Sequence, residues 1–171
     1  MASGDTLLIL TPQSSTPPAS NFATLDVIAG ADATAAESFP VLDFDASADE
    51  YADWHCVMPQ NYGSGGLTVT IIWAAISDQA NACQFEAAFR AIEDDAEDID
   101  TTDHAYDFNT VAASPAGTAG EVSYDNITFT DGADSDNVDA GDAFVFRLMR
   151  DVSDDSMTGD ASVLAVHIKE T

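Results

Sequence analysis

Apolar side chains recur at every second position in several short stretches of this chain, and that period admits few folds. Leu67, Val69, Ile71 and Trp73 alternate with Thr68, Thr70 and Ile72. Phe144, Phe146 and Leu148 alternate with Val145 and Arg147, and Leu164, Val166 and Ile168 with Ala165 and His167. Successive side chains of a strand point to opposite faces, so each run predicts a strand with one face on a core. Residues 25–28, 39–44, 50–58 and 106–111 read as further strands. Val122, Tyr124, Ile127 and Phe129 give another, with a bulge expected at Asp125-Asn126, where the phase slips. Turn residues such as Gly63-Ser64-Gly65-Gly66 separate the runs. Roughly nine or ten short strands of this kind predict an all-β fold, an antiparallel β-sandwich of jelly-roll type. Its expected core holds Leu67, Val69, Ile71, Trp73, Phe144, Phe146, Leu148, Leu164, Val166 and Ile168.

Residues 82–93 (ACQFEAAFRAIE) fit two periods. Phe85, Phe89 and Ile92 fall at helical spacing among good helix formers. Phe85, Ala87, Phe89 and Ala91 also alternate with Gln84, Glu86 and Arg90, and the surrounding β pattern favours strand. At the other end of the chain, a short apolar segment, Thr6, Leu7, Leu8, Ile9 and Leu10, precedes a Ser/Thr/Pro-rich stretch, TPQSSTPPAS at 11–20. The stretch is expected to be an extended tether. The segment is expected to pair with an edge strand, of its own domain or of a neighbour, and is the candidate assembly arm. The organisation predicted is an arm and tether over 1–20 and a sandwich domain over 21–171, with no internal repeat.

Charge narrows the partners. The 171 residues include 31 Asp plus Glu against 4 Lys plus Arg, for a formal net charge of −27. The basic footprint that nucleic acid requires is missing, and an anionic membrane surface would repel the chain. Hydrophobic residues make up 46%, too many for a disordered acidic tail. Self-repulsion destabilises the compact state unless salt screens it, which points to a saline setting. The start, Met1-Ala2-Ser3-Gly4-Asp5, does not read as a secretory signal. Cys56 and Cys83 are expected to be buried thiols in a chain folded in a reducing cytoplasm, a Cys56–Cys83 bridge being the lesser alternative.

Carboxylates are so numerous that chance groupings are certain. Asp43, Asp45, Asp49 and Glu50 form one group, Asp94, Asp95, Glu97, Asp98 and Asp100 a second. Asp131, Asp134, Asp136, Asp139 and Asp142 form a third, of which Asp131, Asp134, Asp136 and Asp139 come nearest to a calcium loop. Calcium takes about six to eight oxygens, yet Val138 stands where a further ligand is required, so a solvated acidic turn is the expectation and no metal or other cofactor is predicted. A carboxylate pair for glycoside hydrolysis cannot be singled out without geometry. His55 and Cys56 adjoin on a strand and therefore point apart, which argues against a dyad. His55, His104 and His167 show no metal-ligand spacing, and neither a phosphate loop nor a nucleophile elbow occurs. No catalytic residue and no small-molecule substrate is predicted. Trp54, Trp73, Tyr51, Tyr62 and Tyr124 could form a sugar-stacking platform, but Trp73 is in phase with the core, and core is the favoured reading.

Three segments carry a resemblance: DFDASADEYADWHCVMPQNYGSGGLTVTIIW at 43–73, AGEVSYDNITFTDGADSDNVDAGDAFVFRLMRD at 119–151 and LAVHIKE at 164–170. They resemble virion surface proteins of tailed bacteriophages, over roughly residue 38 to the end. The resemblance implies a jelly-roll-type domain made in the bacterial host cytoplasm and placed on the outer capsid surface. There it would be a capsid decoration (cement) protein that binds the major capsid protein, as a homotrimer. A tail-fibre or receptor-binding domain presenting aromatics such as Trp54 or Tyr62, and a carbohydrate-binding module, are the alternatives.

Overall fold

A computed structural model describes residues 4–32, 34–77, 79–96 and 98–171. Met1, Ala2 and Ser3 of the start read above as no signal, and Glu97 of the second acidic group, lie outside the described residues. Ten strands follow in order: β1 (Thr6–Leu10), β2 (Thr24–Ala29), β3 (Ser38–Phe44), β4 (Glu50–Val57), β5 (Leu67–Ala75), β6 (Cys83–Ile92), β7 (Asn109–Ala113), β8 (Val122–Phe129), β9 (Ala143–Arg150) and β10 (Ala161–Glu170). Sheet A runs β2-β3-β10-β5-β8, with β1 also on β10; sheet B runs β4-β9-β6-β7. All pairings between these strands are antiparallel. The two sheets close on one core, and the jelly-roll-type sandwich expected from the alternation is the fold.

Alternation decides what enters the core. Leu67, Val69, Ile71 and Trp73 of β5, Phe144, Phe146 and Leu148 of β9, and Val166 and Ile168 of β10 are all buried. The ambiguous stretch is strand β6. Phe85, Ala87, Phe89 and Ala91 point inward at period two, and Phe89 packs edge-on to Phe129 with ring centroids 4.9 Å apart. Two core aromatics keep their polar handles satisfied, as buried Trp must. Trp54 Nε1 donates to the Thr11 carbonyl (2.9 Å), and Trp73 Nε1 to the Asp125 carboxylate (2.8 Å).

Three expectations change. No bulge interrupts β8, which pairs with β5 in unbroken register from Phe129 to Val122. Asp125 keeps an inward phase because Trp73 supplies its donor. The irregularity falls instead in β10 between Val163 and Ala165, and it turns Leu164 out of the core. Residues 11–20 are no extended tether. Pro12–Ser14 form a 3-10 turn with Pro12 buried, and Thr16 and Phe22 bridge to Asp53 and Tyr51 on the edge strand β4.

Of the two pairings left open for Thr6, Leu7, Leu8, Ile9 and Leu10, the structure holds the one within its own domain. β1 lies along the second half of β10, Leu8 opposite Ile168 and Leu10 opposite Val166, while β3 takes the first half. Leu10 is buried in the shared core. At the far end of β5, Gly66 has φ +87°, and a Cβ there would stand 2.7 Å from the Phe129 carbonyl oxygen, so only glycine fits this turn.

Arg150 ends β9 in phase with Phe146 and Leu148 and is fully buried. Its guanidinium donates to Asp155 (2.7 Å) and to the carbonyls of Phe44, Met157 and Gly159 (2.9–3.0 Å). One of only four Lys and Arg residues thus fastens the β9–β10 connection to β3. A buried charge is tolerable only when paired and hydrogen-bonded in this way.

Candidate ligand face

The pairing of sheet B fixes three rows of side chains on the face turned away from the core. Tyr51, Met149, Glu86 and Thr110 stand side by side on β4, β9, β6 and β7. Asp53, Arg147 and Ala88 form the next row, and His55, Val145 and Arg90 the third. Arg147 organises the middle. Its Nε and Nη2 each donate to an Asp53 carboxylate oxygen at 2.7 Å, a bidentate pair. The same guanidinium lies 4.3 Å from the centre of the Tyr106 ring and 5.4 Å from that of Tyr51. Both distances are within cation–π reach. The Asp53 carboxylate holds Arg147 more firmly protonated than usual, burial opposing.

Tyr106 belongs to the β6–β7 connection, residues 93–108, and through it this connection lies over β9. His104, Tyr106 and Phe108 make a run of ring contacts at 4.9 and 5.8 Å. Ala88 and Val145 are buried although they point away from the core, as a covering segment requires. Beside it the first row stays partly accessible around a buried Met149. Tyr51 and Glu86 are half-buried and Thr110 is exposed. Burial pushes the Glu86 carboxyl above its ordinary range, and Asp151, Asp154 and Asp49 add to the shift. Two hollows adjoin this face. A cleft of about 300 Å³ is bounded by Ala91, Glu93, His104, Asp136 and Asn137. A groove of about 240 Å³ at the β4 edge is lined by Pro12, Gln13, Pro17, Phe22, Leu25 and Tyr51, among others.

The residues singled out in the sequence are scattered. Tyr62 OH donates to Asp131 at 3.0 Å. Asp134 accepts from Thr130 N (2.6 Å) and Oγ1 (2.9 Å) and from Asn109 Nδ2 (2.8 Å). Burial would raise its pKa, but these bonds outweigh it and the net shift is downward. Asp136 accepts from Ala91 N (2.8 Å) and sits 3.7 Å from His104 Nε2. The Asp139 amide is taken by Asp142. The carboxylates of Asp131, Asp134, Asp136 and Asp142 thus have separate structural tasks, and among the described residues no three His, Cys, Asp or Glu side chains are grouped to hold a metal ion. Cys56 and Cys83 are both free thiols, and burial raises both pKa values.

The aromatic platform divides. Trp54, Trp73 and Tyr62 are buried, which removes Trp54 and Tyr62 as presented aromatics. Tyr51 and Trp54 point to opposite faces of β4, as the alternation required. Tyr124 is exposed, on sheet A. Sequence reasoning missed Tyr106, Arg147, Asp53 and Glu86 as one group. Register alone brings three of them together, from strands far apart in the chain.

No protein-family model matches the chain, and no curated protein matches it. Solved structures do. A family 35 carbohydrate binding module from an environmental isolate superposes with TM-score 0.54 at 9% identity, over 94% of this chain and 91% of that one. The CBM22-1 xylan-binding domain from Paenibacillus barcinonensis Xyn10C gives TM-score 0.53 at 13% identity, over 99% and 96%. An arabinose-bound α-L-arabinofuranosidase, MgGH51, gives TM-score 0.50 at 13% identity over 99% of this chain, which spans only 28% of that enzyme. At these identities the likeness defines the fold, the jelly-roll sandwich of carbohydrate-binding modules. Among the described residues, no helix is long and apolar enough to cross a membrane.

Proposed function

We propose that this domain is a carbohydrate-binding module without catalytic activity, and that its ligand lies on the outer face of sheet B beside the β6–β7 connection. The observation that carries the reading is the Tyr51–Arg147–Tyr106 stack, held in place by Asp53 and flanked by Glu86. A sugar ring offers an apolar C–H face and a rim of hydroxyls. Tyrosine rings suit the first, and Arg147, fixed by its bidentate bond to Asp53, with the half-buried Glu86 beside it, suits the second, so the Arg147 fork needs little ordering on binding. The similar modules support the reading through the fold, and one of them is described as xylan-binding.

Nothing in the comparisons bears on a virion, on a major capsid protein partner or on a trimer. The carbohydrate reading, an alternative from sequence, is therefore the stronger one. The test is titration calorimetry against soluble neutral plant, algal and bacterial polysaccharides. Binding of one of them, lost in Tyr106→Ala and retained in Val57→Ala, is expected. No binding across the panel by the folded protein would refute the proposal.

A further inference from the structure

The connection between β1 and β2 runs along the free edge of β4 and meets it twice. The Thr16 amide donates to the Asp53 carbonyl (2.7 Å), at an antiparallel bridge. Further on, the Tyr51 amide donates to the Asn21 carbonyl (2.8 Å) and the Ala23 amide to the Tyr51 carbonyl (3.0 Å), which makes a parallel bridge of Phe22 and Tyr51. Bridge partners turn their side chains to the same face of a sheet. Tyr51 and Asp53 face outward on sheet B, so Phe22 and Thr16 face outward beside them, while Ala23, the next residue, is buried. Each prolongs a row of the ligand face by one position. The first row becomes Phe22, Tyr51, Met149, Glu86 and Thr110, and the second Thr16, Asp53, Arg147 and Ala88.

Phe22 is 45% exposed although it sits against Tyr51. A large apolar ring left in solvent beside other apolar groups marks a contact surface or a ligand groove. Here the groove is present, about 240 Å³ between Phe22, Tyr51, Leu25, Pro12 and Pro17, and its lining holds no charged side chain. Its occupant follows from continuity. The groove shares Tyr51 with the Tyr51–Arg147–Tyr106 stack, so a ligand that lies on the stack and passes over β4 enters it. Strands stand about 4.8 Å apart, so the row from Phe22 to Glu86 is about 14 Å long. That is longer than a disaccharide. Both ends of the row, Phe22 and Thr110, are exposed, so a polymer can run on past either. Resting on the carbohydrate reading above, we propose that the ligand is an internal stretch of a neutral polysaccharide laid across the strands, from Tyr106 over Tyr51 to Phe22, and that Phe22 is the third stacking ring. The segment before β2 is thus a part of the binding face that sets the length of chain bound.

The experiment is calorimetry with size-fractionated oligomers, disaccharide to octasaccharide, cut from the panel polysaccharide that binds, xylan being tried first. Affinity should rise at least about tenfold over that range and level off once the oligomer spans the row. Phe22→Ala should weaken the octasaccharide about fivefold and leave the disaccharide unchanged, Phe22→Tyr should restore the octasaccharide, and Tyr106→Ala should weaken both. Circular dichroism checks folding, and Leu25→Ser, at another exposed groove residue, replaces Phe22→Ala if that variant unfolds. Equal affinity for disaccharide and octasaccharide overturns the proposal, as does a groove substitution that spares the octasaccharide or weakens both oligomers alike. Each of these results leaves the sheet B site standing as long as Tyr106→Ala abolishes binding. Binding by no member of the panel removes that site and this proposal together.

Discussion

The two outer faces of this sandwich are built from similar strands and are organised differently. Sheet B turns out Tyr51, Asp53, His55, Glu86, Arg90 and Arg147, and a connection lies across it to place Tyr106 on Arg147. Sheet A turns out Ile72, Val122 and Tyr124 at one end, threonines at the other, and Asp26, Asp43, His167 and Lys169 on β2, β3 and β10. A sandwich needs only one face of each sheet for its core, so the two outer faces are free to diverge. On sheet B the fixed polar groups hold one another in place. On sheet A the bonds run between neighbours, Thr6 with His167, Thr70 with Asn126 and Ser162 with Asp43, and Phe39, Val122 and Tyr124 are among its well-exposed outward side chains.

Substitutions should break this contrast in graded fashion. The largest effect is expected from Asp53→Ala, which leaves the Arg147 guanidinium largely buried without its carboxylate. Its cost should be about 2–4 kcal/mol, the lower side of the range for broken buried pairs because Arg147 keeps some exposure. Urea unfolding measures it, and a loss below about 1 kcal/mol would show that the pair is only a surface ion pair.

Salt comes next. Raising NaCl from about 10 mM to about 1 M should lift the melting temperature by several degrees, since screening relieves the −27 charge. A Tm indifferent to salt, checked with chelator present, would remove the repulsion argument.

The pH response is smaller. Asp43, Glu50 and Glu86 have raised pKa values, chiefly through burial. In the folded state they bind protons more readily than in the unfolded chain, so stability rises as pH falls toward their folded pKa values. Asp45, Asp134 and Asp151 are lowered, so their contribution is lost once pH falls through their folded pKa values. Stability should therefore peak in mildly acid solution, between these two sets. A thermal melt series from neutral to acid pH that declines monotonically would contradict the assignment.

The smallest effect belongs to sheet A. Val122→Ser should change stability by less than about 0.5 kcal/mol, since that side chain is 42% exposed. Chemical denaturation showing a loss several times larger would mean that this side chain is part of the core, and the contrast between the faces would collapse.

Much of the architecture was written in the alternation of single strands. Inward phase at β4, β5 and β9 follows from local sequence, because a period of two needs no partner to be recognised. Even β6, with a helical spacing superposed, obeys it, since the core offered Phe85 and Phe89 a face and solvent offered Glu86 and Arg90 the other. What depends on pairing was not legible. Leu164 leaves the core because β10 must match β3 and β1 on one side and β5 on the other, and the mismatch is absorbed at one residue. Asp125 stays in phase because Trp73, 52 residues earlier in the chain, supplies a donor. Arg150 reads as a surface charge until the carbonyls of Phe44, Met157 and Gly159 surround it. The candidate ligand face is the clearest case. Asp53 and Arg147 meet across 94 residues of chain, and Tyr106 arrives from a third segment. The sequence by itself determined which side of each strand is dry, because that choice is local. Which side chains share the wet side was decided only by register and strand order, because antiparallel pairing brings together residues that no spacing along the chain relates.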